Sequence, residues 1–421
     1  MNKILTIAAL ALVLSACSNE DNDIQTPVEQ PAKSEGIPFT ATISIGENAM
    51  TRALTEDATN NQIVPTWVAG EKVALIHNGV NDEMSVASVS GGVATITGTI
   101  TGSPTTGDAV TIIYPSTAAD GTTGNVKANL LAAQDGTLAT IAANYDVRKG
   151  TGTMKVSGTT SLNGNVSLTN LNAIFKFTLQ DLSAAAKSAT EFKVSDGSGN
   201  VITTVTPGSA SGELYVAMPV MGDGTYWFNA TIDSKPYIAK ATTAAATVAG
   251  KYYQTTVKMA TIGDVILADG TFAARLSTTG TKVAMIAYVG SETGVAGYTH
   301  GLALALSDEE LMSWSTATGA SGAAAHTPAA PTTTSSWMLP SKDQWNKMID
   351  ACKNVLGTKN NYQDLRDGFS GISRASNLQW LNYWSSTEDG SYNAWYYNFN
   401  AGDWFSNRKG FGNPVRACLA F

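Results

Sequence analysis

The sequence predicts a mainly β protein: two β-sandwich units followed by an α+β unit. Three observations carry this. Several stretches alternate apolar and polar residues with a period of two and are separated by turn residues at sandwich-like spacing. Charged residues make up only 14% of the 421 residues, a composition that suits exposed β-structure better than helical bundles. The one strongly helical stretch, near residue 345, comes late and lies among short strands. At about 150 residues per domain, a chain of this length is expected to hold two or three units.

The chain opens with Lys3, an apolar run over residues 4–14 and the small pair Ser15-Ala16, the pattern of an export signal. Residues 18–36 are polar, without periodicity, and read as a flexible tether. Ile37, Phe39, Ala41, Ile43 and Ile45 then alternate with Pro38, Thr40, Thr42 and Ser44, the clearest strand in the sequence. A polar segment with Met50, Thr51, Arg52 and Ala53 follows, then Trp67, a strand at 73–76, two strands flanking Gly91-Gly92, and a strand at 109–114 ended by Pro115. Paired glycines fit a tight hairpin because both can take positive φ. This first unit is bounded at 37–160.

A second unit, 161–260, is built on the alternation of Ala173, Phe175, Phe177 and Leu179 with Ile174, Lys176, Thr178 and Gln180, and on strands at 214–219, 226–232 and 252–259. The third, 261–421, begins with short strands. It continues with a short helix expected from Ser307, Asp308, Glu309 and Glu310, and a Ser/Thr/Ala/Gly/Pro loop at 315–336 expected to be exposed and mobile. The best helix is capped by Ser341 with Gln344 reaching back; Trp345, Met348, Ile349, Cys352, Val355 and Leu356 form its apolar face before Gly357. Residues 414–421 close the chain as a strand.

Seven of the nine tryptophans fall between Trp314 and Trp404. Clustered Trp and Tyr mark binding surfaces as well as cores. Between Trp384 and Trp404, rings alternate with amides and acids, so Trp395 and Tyr397 are expected to face inward while Tyr396 and Trp404 remain available. With them, Glu388, Asp389, Asn393, Asn398, Asn400 and Asp403 are the ligand-binding candidates, suited to a sugar or a protein. No fixed spacing of oxygen ligands selects a metal site, and none is expected. The net charge of -8 and the lack of a basic stripe exclude a nucleic-acid binder. His77, His300 and His326 are scattered, and no nucleophile, phosphate-loop or dinucleotide motif occurs, so neither catalysis nor a cofactor is expected.

Leu14-Ser15-Ala16-Cys17 resembles a bacterial lipobox. That resemblance implies cleavage before Cys17, lipid on its sulfur and anchoring in the outer membrane, and the acidic residues that follow resemble surface-export signals of Bacteroidetes lipoproteins. With Cys17 so used, Cys352 and Cys418 remain as an even pair in an oxidising compartment, which implies a disulfide between helix and final strand. The first two units resemble the fimbrillin family of Bacteroidetes pilus subunits, on the lipobox, the leading strand, the Arg52 segment, Trp67 through Leu75, residues 171–177 and Ala249-Gly250-Lys251-Tyr252-Tyr253. The family implies two transthyretin-like sandwiches and a fimbrial location. It also implies cleavage between Arg52 and Ala53 by an Arg-specific protease, freeing residues 17–52 with the strand Ile37, Phe39, Ala41, Ile43 and Ile45. Another subunit's donor strand would fill the slot.

The last unit resembles C-type-lectin-like modules, on Trp337 through Trp345, Tyr383 through Thr387 and Asn413 through Cys418. Its calcium-dependent sugar motifs are not matched. Because the chain ends inside the closing strand, it is expected to accept a strand without donating one, as a tip subunit that adheres through its last unit. The alternative is a surface lipoprotein, anchored through Cys17, that captures glycans.

Overall fold

The computed structural model describes residues 36–45, 54–57, 62–64, 67–353, 355–357, 359 and 361–421. Cys17, Arg52 and Ala53 lie outside the described residues. The chain is mainly β, with 47% of residues in strands and 10% in helices. Residues 37–421 form one compact unit.

The leading strand, Ile37–Ile45, follows its alternation from Phe39 onward: Phe39, Ala41, Ile43 and Ile45 are buried while Thr40 and Thr42 are exposed, but Ile37, expected on the same face, is exposed at the strand's start. It pairs antiparallel with Val93–Ile100 from Ile37 to Ser44. On its other edge it runs parallel to two strands, meeting Thr159–Leu162 at Phe39 and Val166–Asn170 from Ile43 onward. Those two strands pair with Arg148–Ser157, which continues through Ala109–Tyr114, Lys72–His77 and Val80–Ser90 back to Val93–Ile100. The eight strands therefore close into one hydrogen-bonded circuit, and the leading strand closes it. Both turn glycines, Gly91 and Gly92, have positive φ (54° and 81°), as the hairpin between Val80–Ser90 and Val93–Ile100 requires. The strand at 159–162, which straddles residue 160, and the strand at 166–170, which lies beyond it, both belong to this first circuit.

The second sheet also has eight strands, in the order Glu213–Pro219, Asn172–Asp181, Tyr252–Thr261, Lys235–Thr243, Gly224–Ile232, Glu191–Ser195, Val201–Val205, Ala133–Gln134. Its core is aromatic: Phe177 packs 5.2 Å from Phe192 and 5.6 Å from Phe228, centroid to centroid. Pieces that precede it in sequence also dock on it. Leu54 and Ile141 are buried with Ile174 and Ala217 in one cluster.

The last unit holds a five-stranded sheet with the long helix Lys342–Cys352 against the strand Lys282–Val289. A three-stranded sheet, Asn382–Asp389, Asn393–Asn398 and Asp403–Arg408, completes it. The helix starts as its sequence dictates, with both halves of the Ser341/Gln344 capping box formed, but it stops at Cys352 rather than at Gly357. The helix expected from Ser307 is instead a strand, Glu309–Met312, because pairing with Asn413–Val415 overrides local preference. Residues 315–336 are not a loose loop: Ala323, His326, Thr334 and Ser335 are buried, and Ser335 N–H donates to the Ala420 carbonyl at 2.8 Å.

The core of the last unit reaches back to residues before 261. Trp227, Ile238 and Ala260 from the second sheet share one buried cluster with it. Trp227 stacks on His300 at 3.8 Å, and Phe272 meets Phe421 edge-on at 5.5 Å.

The expected disulfide is not formed; both cysteines are free and buried. The end of the helix sits over Lys282–Val289, where the Cys352 thiol faces the Ala287 carbonyl at 3.5 Å. Cys418 lies two strands away in the sheet order, paired with Leu304. Burial pushes both thiols well above their ordinary range, so neither is a reactive thiolate.

Candidate functional site

The three-stranded sheet that carries the candidate residues is held by buried polar pins. Trp345 Nε1 donates to the Trp384 carbonyl (3.2 Å) and Trp384 Nε1 to the Met312 carbonyl (3.1 Å). Arg416, fully buried, donates from Nε to Asp308 at 2.6 Å, and the Tyr383 hydroxyl donates to the same carboxylate at 2.7 Å. A buried guanidinium is tolerated only when paired and hydrogen-bonded in this way. Trp337, Trp345 and Trp384 are core residues. Much of the tryptophan cluster therefore builds the scaffold rather than a surface.

The expected inward and outward division of the rings holds in part. Tyr397 is buried, and Tyr396 is half-buried between Trp384 and Phe405. Trp404, however, is opposite Tyr397 in register and so shares its face, together with Trp395. On that face the Lys342 ammonium lies 3.5 Å from the Trp395 ring centroid and 5.2 Å from that of Trp404. Trp404 Nε1 donates to Asn346 at 2.8 Å. These rings are occupied by the chain's own helix.

The remaining candidates separate to opposite ends of the sheet. Asn398, Asn400 and Asp403 form the turn between the second and third strands, where Asn398 accepts from the Asn400 and Ala401 amides at 2.8 Å and Asp403 accepts from its neighbour's amide. Glu388, Asp389 and Asn393 lie at the other hairpin. Asn393 and Asn398 bound one strand, so at about 3.4 Å per residue the two ends are roughly 17 Å apart. One compact small ligand does not span that distance.

The second end is the better built. Its turn borders an open pocket of ≈ 860 Å³ lined by residues 391–393 and 408–411. Of the candidates expected from the sequence, only Asn393 lines it. Tyr392, Arg408 and Phe411 were not singled out from the sequence; an aromatic at each of two turn tips, 19 residues apart, was the signal available. Lys409 is fixed beneath them, 3.0 Å from Glu388 and 4.7 Å over the Trp314 ring.

The three histidines are separately engaged. His77 Nε2 is 3.1 Å from Asp82, and His326 is paired with Glu309. Burial against Trp227 and the nearby Lys240 charge hold His300 down to about 4, so it is neutral at physiological pH. Among the described residues no group of three or more His, Cys, Asp and Glu side chains is placed to hold a metal.

No protein-family model and no curated protein matches the sequence. Several solved structures are distantly similar, among them the following three. A fimbrial protein from Bacteroides ovatus aligns over 92% of this chain and 99% of its own, at 14% identity and TM-score 0.29. A tip fimbrial protein from Porphyromonas gingivalis with C-terminal truncation aligns over 53% and 98%, at 10% and 0.27. A fimbrial assembly protein from Parabacteroides distasonis aligns over 52% and 90%, at 12% and 0.28.

Proposed function

We propose that the chain is a fimbrial subunit of the cell surface, carried there as a lipoprotein through Cys17, matured by cleavage between Arg52 and Ala53, and adhesive through its lectin-like last unit. One observation carries the reading: the leading strand is the stave that closes the first circuit, with partners on both edges and four alternate side chains in the core.

The energetics support exchange rather than simple loss. Phe39, Ile43 and Ile45 together contribute roughly 5–9 kcal/mol of burial at about 1.5–3 kcal/mol each. Domain stabilities are about 5–15 kcal/mol. A first unit stripped of this strand would stand near its unfolding threshold, with unpaired backbone along Val93–Ile100 on one side and Val166–Asn170 on the other. A donor strand with the same alternation restores both the pairing and the core, which is β-augmentation into a ready slot.

Mixing Arg-protease-treated protein with a stalk subunit tests the reading. A stable complex that untreated protein does not form is the expected result. Absence of a complex after complete cleavage sinks it in favour of an anchored glycan-capturing lipoprotein.

A further inference from the structure

We propose that the pocket beside the hairpin turn at residues 390–392 binds a sugar bearing a carboxylate, with Arg408 receiving the acid and Tyr392 and Phe411 flanking the ring. This deepens the adhesive reading of the last unit and rests on it.

The rings are presented outward to an unusual degree: Tyr392 is 84% exposed and Phe411 55% exposed. Neither contributes to a core, and both line one pocket. Their backbones are nonetheless fixed, since Lys409 N–H donates to the Tyr392 carbonyl (2.9 Å) and Phe411 N–H to the Arg408 carbonyl (3.0 Å). The backbone that carries both rings is thus set in place before any ligand arrives, which limits the backbone share of the ordering cost of binding.

The polar lining is unspent. The Arg408 guanidinium, the Asn393 amide and the Ser391 and Tyr392 hydroxyls have no hydrogen bond or ion pair among the described residues. Lys409 differs, because its ammonium is paired with Glu388 and donates to the Ser391 carbonyl. The pocket's only charged lining groups are Arg408 and Lys409, so its spare charge is the single positive charge of Arg408, on a chain whose net charge is -8. A planar guanidinium matches a carboxylate by two parallel hydrogen bonds. An amide and two hydroxyls beside two ring faces suit the hydroxyl groups and C–H faces of a saccharide, and ≈ 860 Å³ is room for a short oligosaccharide.

The test is binding of 3′-sialyllactose, a hyaluronan tetrasaccharide and neutral lactose to the full, uncleaved chain, measured by calorimetry. At least one acidic sugar is expected to bind about tenfold or more tightly than lactose, and Arg408→Gln to bring its affinity down to about that of lactose. Tyr392→Ala is expected to weaken acidic and neutral sugars alike. Both residues are exposed, so the variants should melt like the parent, and a melting curve checks this. Equal binding of acidic and neutral sugars, an unchanged affinity in Arg408→Gln, no binding of either acidic sugar, or preference for a Glu-rich peptide would each overturn the assignment. Because the measurement needs neither cleavage nor a second subunit, its failure is separable from failure of strand release.

Discussion

Replacing Glu56 by Ala should loosen the short strand Thr55–Asp57, which pairs with Gln62–Val64, from its side-chain anchor on the second sheet. Glu56 lies four residues beyond Arg52, and five contacts converge on its carboxylate. The Tyr215 hydroxyl donates to Oε2 at 2.5 Å, the Tyr252 hydroxyl and Gln254 Nε2 to Oε1 at 2.9 Å each, and Lys176 Nζ lies 3.1 and 3.3 Å from the two oxygens. Only 19% of the Glu56 side chain and 15% of that of Lys176 is exposed. The Tyr215 hydrogen bond, helped by Tyr252 and Lys176, holds the Glu56 carboxyl below its usual value, so the group is ionised at neutral pH. Removing it leaves Lys176 with only the exposed Glu213, 3.6 Å away, as a counter-charge.

Breaking a buried pair costs about 3–5 kcal/mol. Partial exposure places Glu56→Ala at the lower end, roughly 3 kcal/mol, or about a hundredfold in an opening equilibrium. Hydrogen exchange read by mass spectrometry over residues 54–57 should therefore speed up by about that factor, while Leu54 loses its buried place beside Ile174. Glu56→Gln keeps shape and one acceptor and should lie between. Since the folded carboxyl titrates below the free value, the stabilisation is present above about pH 4.5 and lost as pH falls further. Exchange within threefold of the parent in Glu56→Ala would refute the reasoning.

Two further outcomes are expected. Cys352 and Cys418 should resist a thiol reagent in the native state and react on denaturation, and added reductant should leave the melting temperature unchanged; a fall equivalent to the ~4 kcal/mol of a long-loop disulfide contradicts the free thiols. Burial pushes Asp264 up to about 6 from 3.8, against the opposing Thr261 and Arg275 amide donors. Between pH 3.8 and 6 the folded state therefore holds a proton that the unfolded chain has lost, and the Asp264 contribution to stability should be complete below pH 3.8 and fall by roughly 3 kcal/mol as pH rises through 6. Urea titrations should show that slope in the parent and not in Asp264→Asn.

What was legible in the sequence was local. The period of two fixed the buried face of Ile37–Ile45, paired glycines fixed a hairpin, and Ser341 with Gln344 fixed the start of the long helix, because each depends on neighbours a few residues away. The rest depends on partners far along the chain. Glu56 meets Tyr252 across 196 positions, and Trp227 completes a core otherwise made from residues beyond 237. Cys352 and Cys418 formed an arithmetical pair, yet sheet order separates them. The candidate acids and amides between 388 and 403 are close in sequence and lie at opposite ends of a strand. Tyr392 and Phe411 come together only because the hairpin and the segment after Asp403–Arg408 end at one place.

Strand replacement tests the central claim most directly. The full chain is treated with an Arg-specific protease in the presence of a labelled peptide of residues 37–45, then analysed by mass spectrometry and size exclusion. The account expects a new amino terminus at Ala53, departure of the leading fragment and uptake of the peptide, with no uptake of a peptide whose apolar residues are moved to the alternate face. A leading fragment that stays bound and never exchanges after complete cleavage would contradict it.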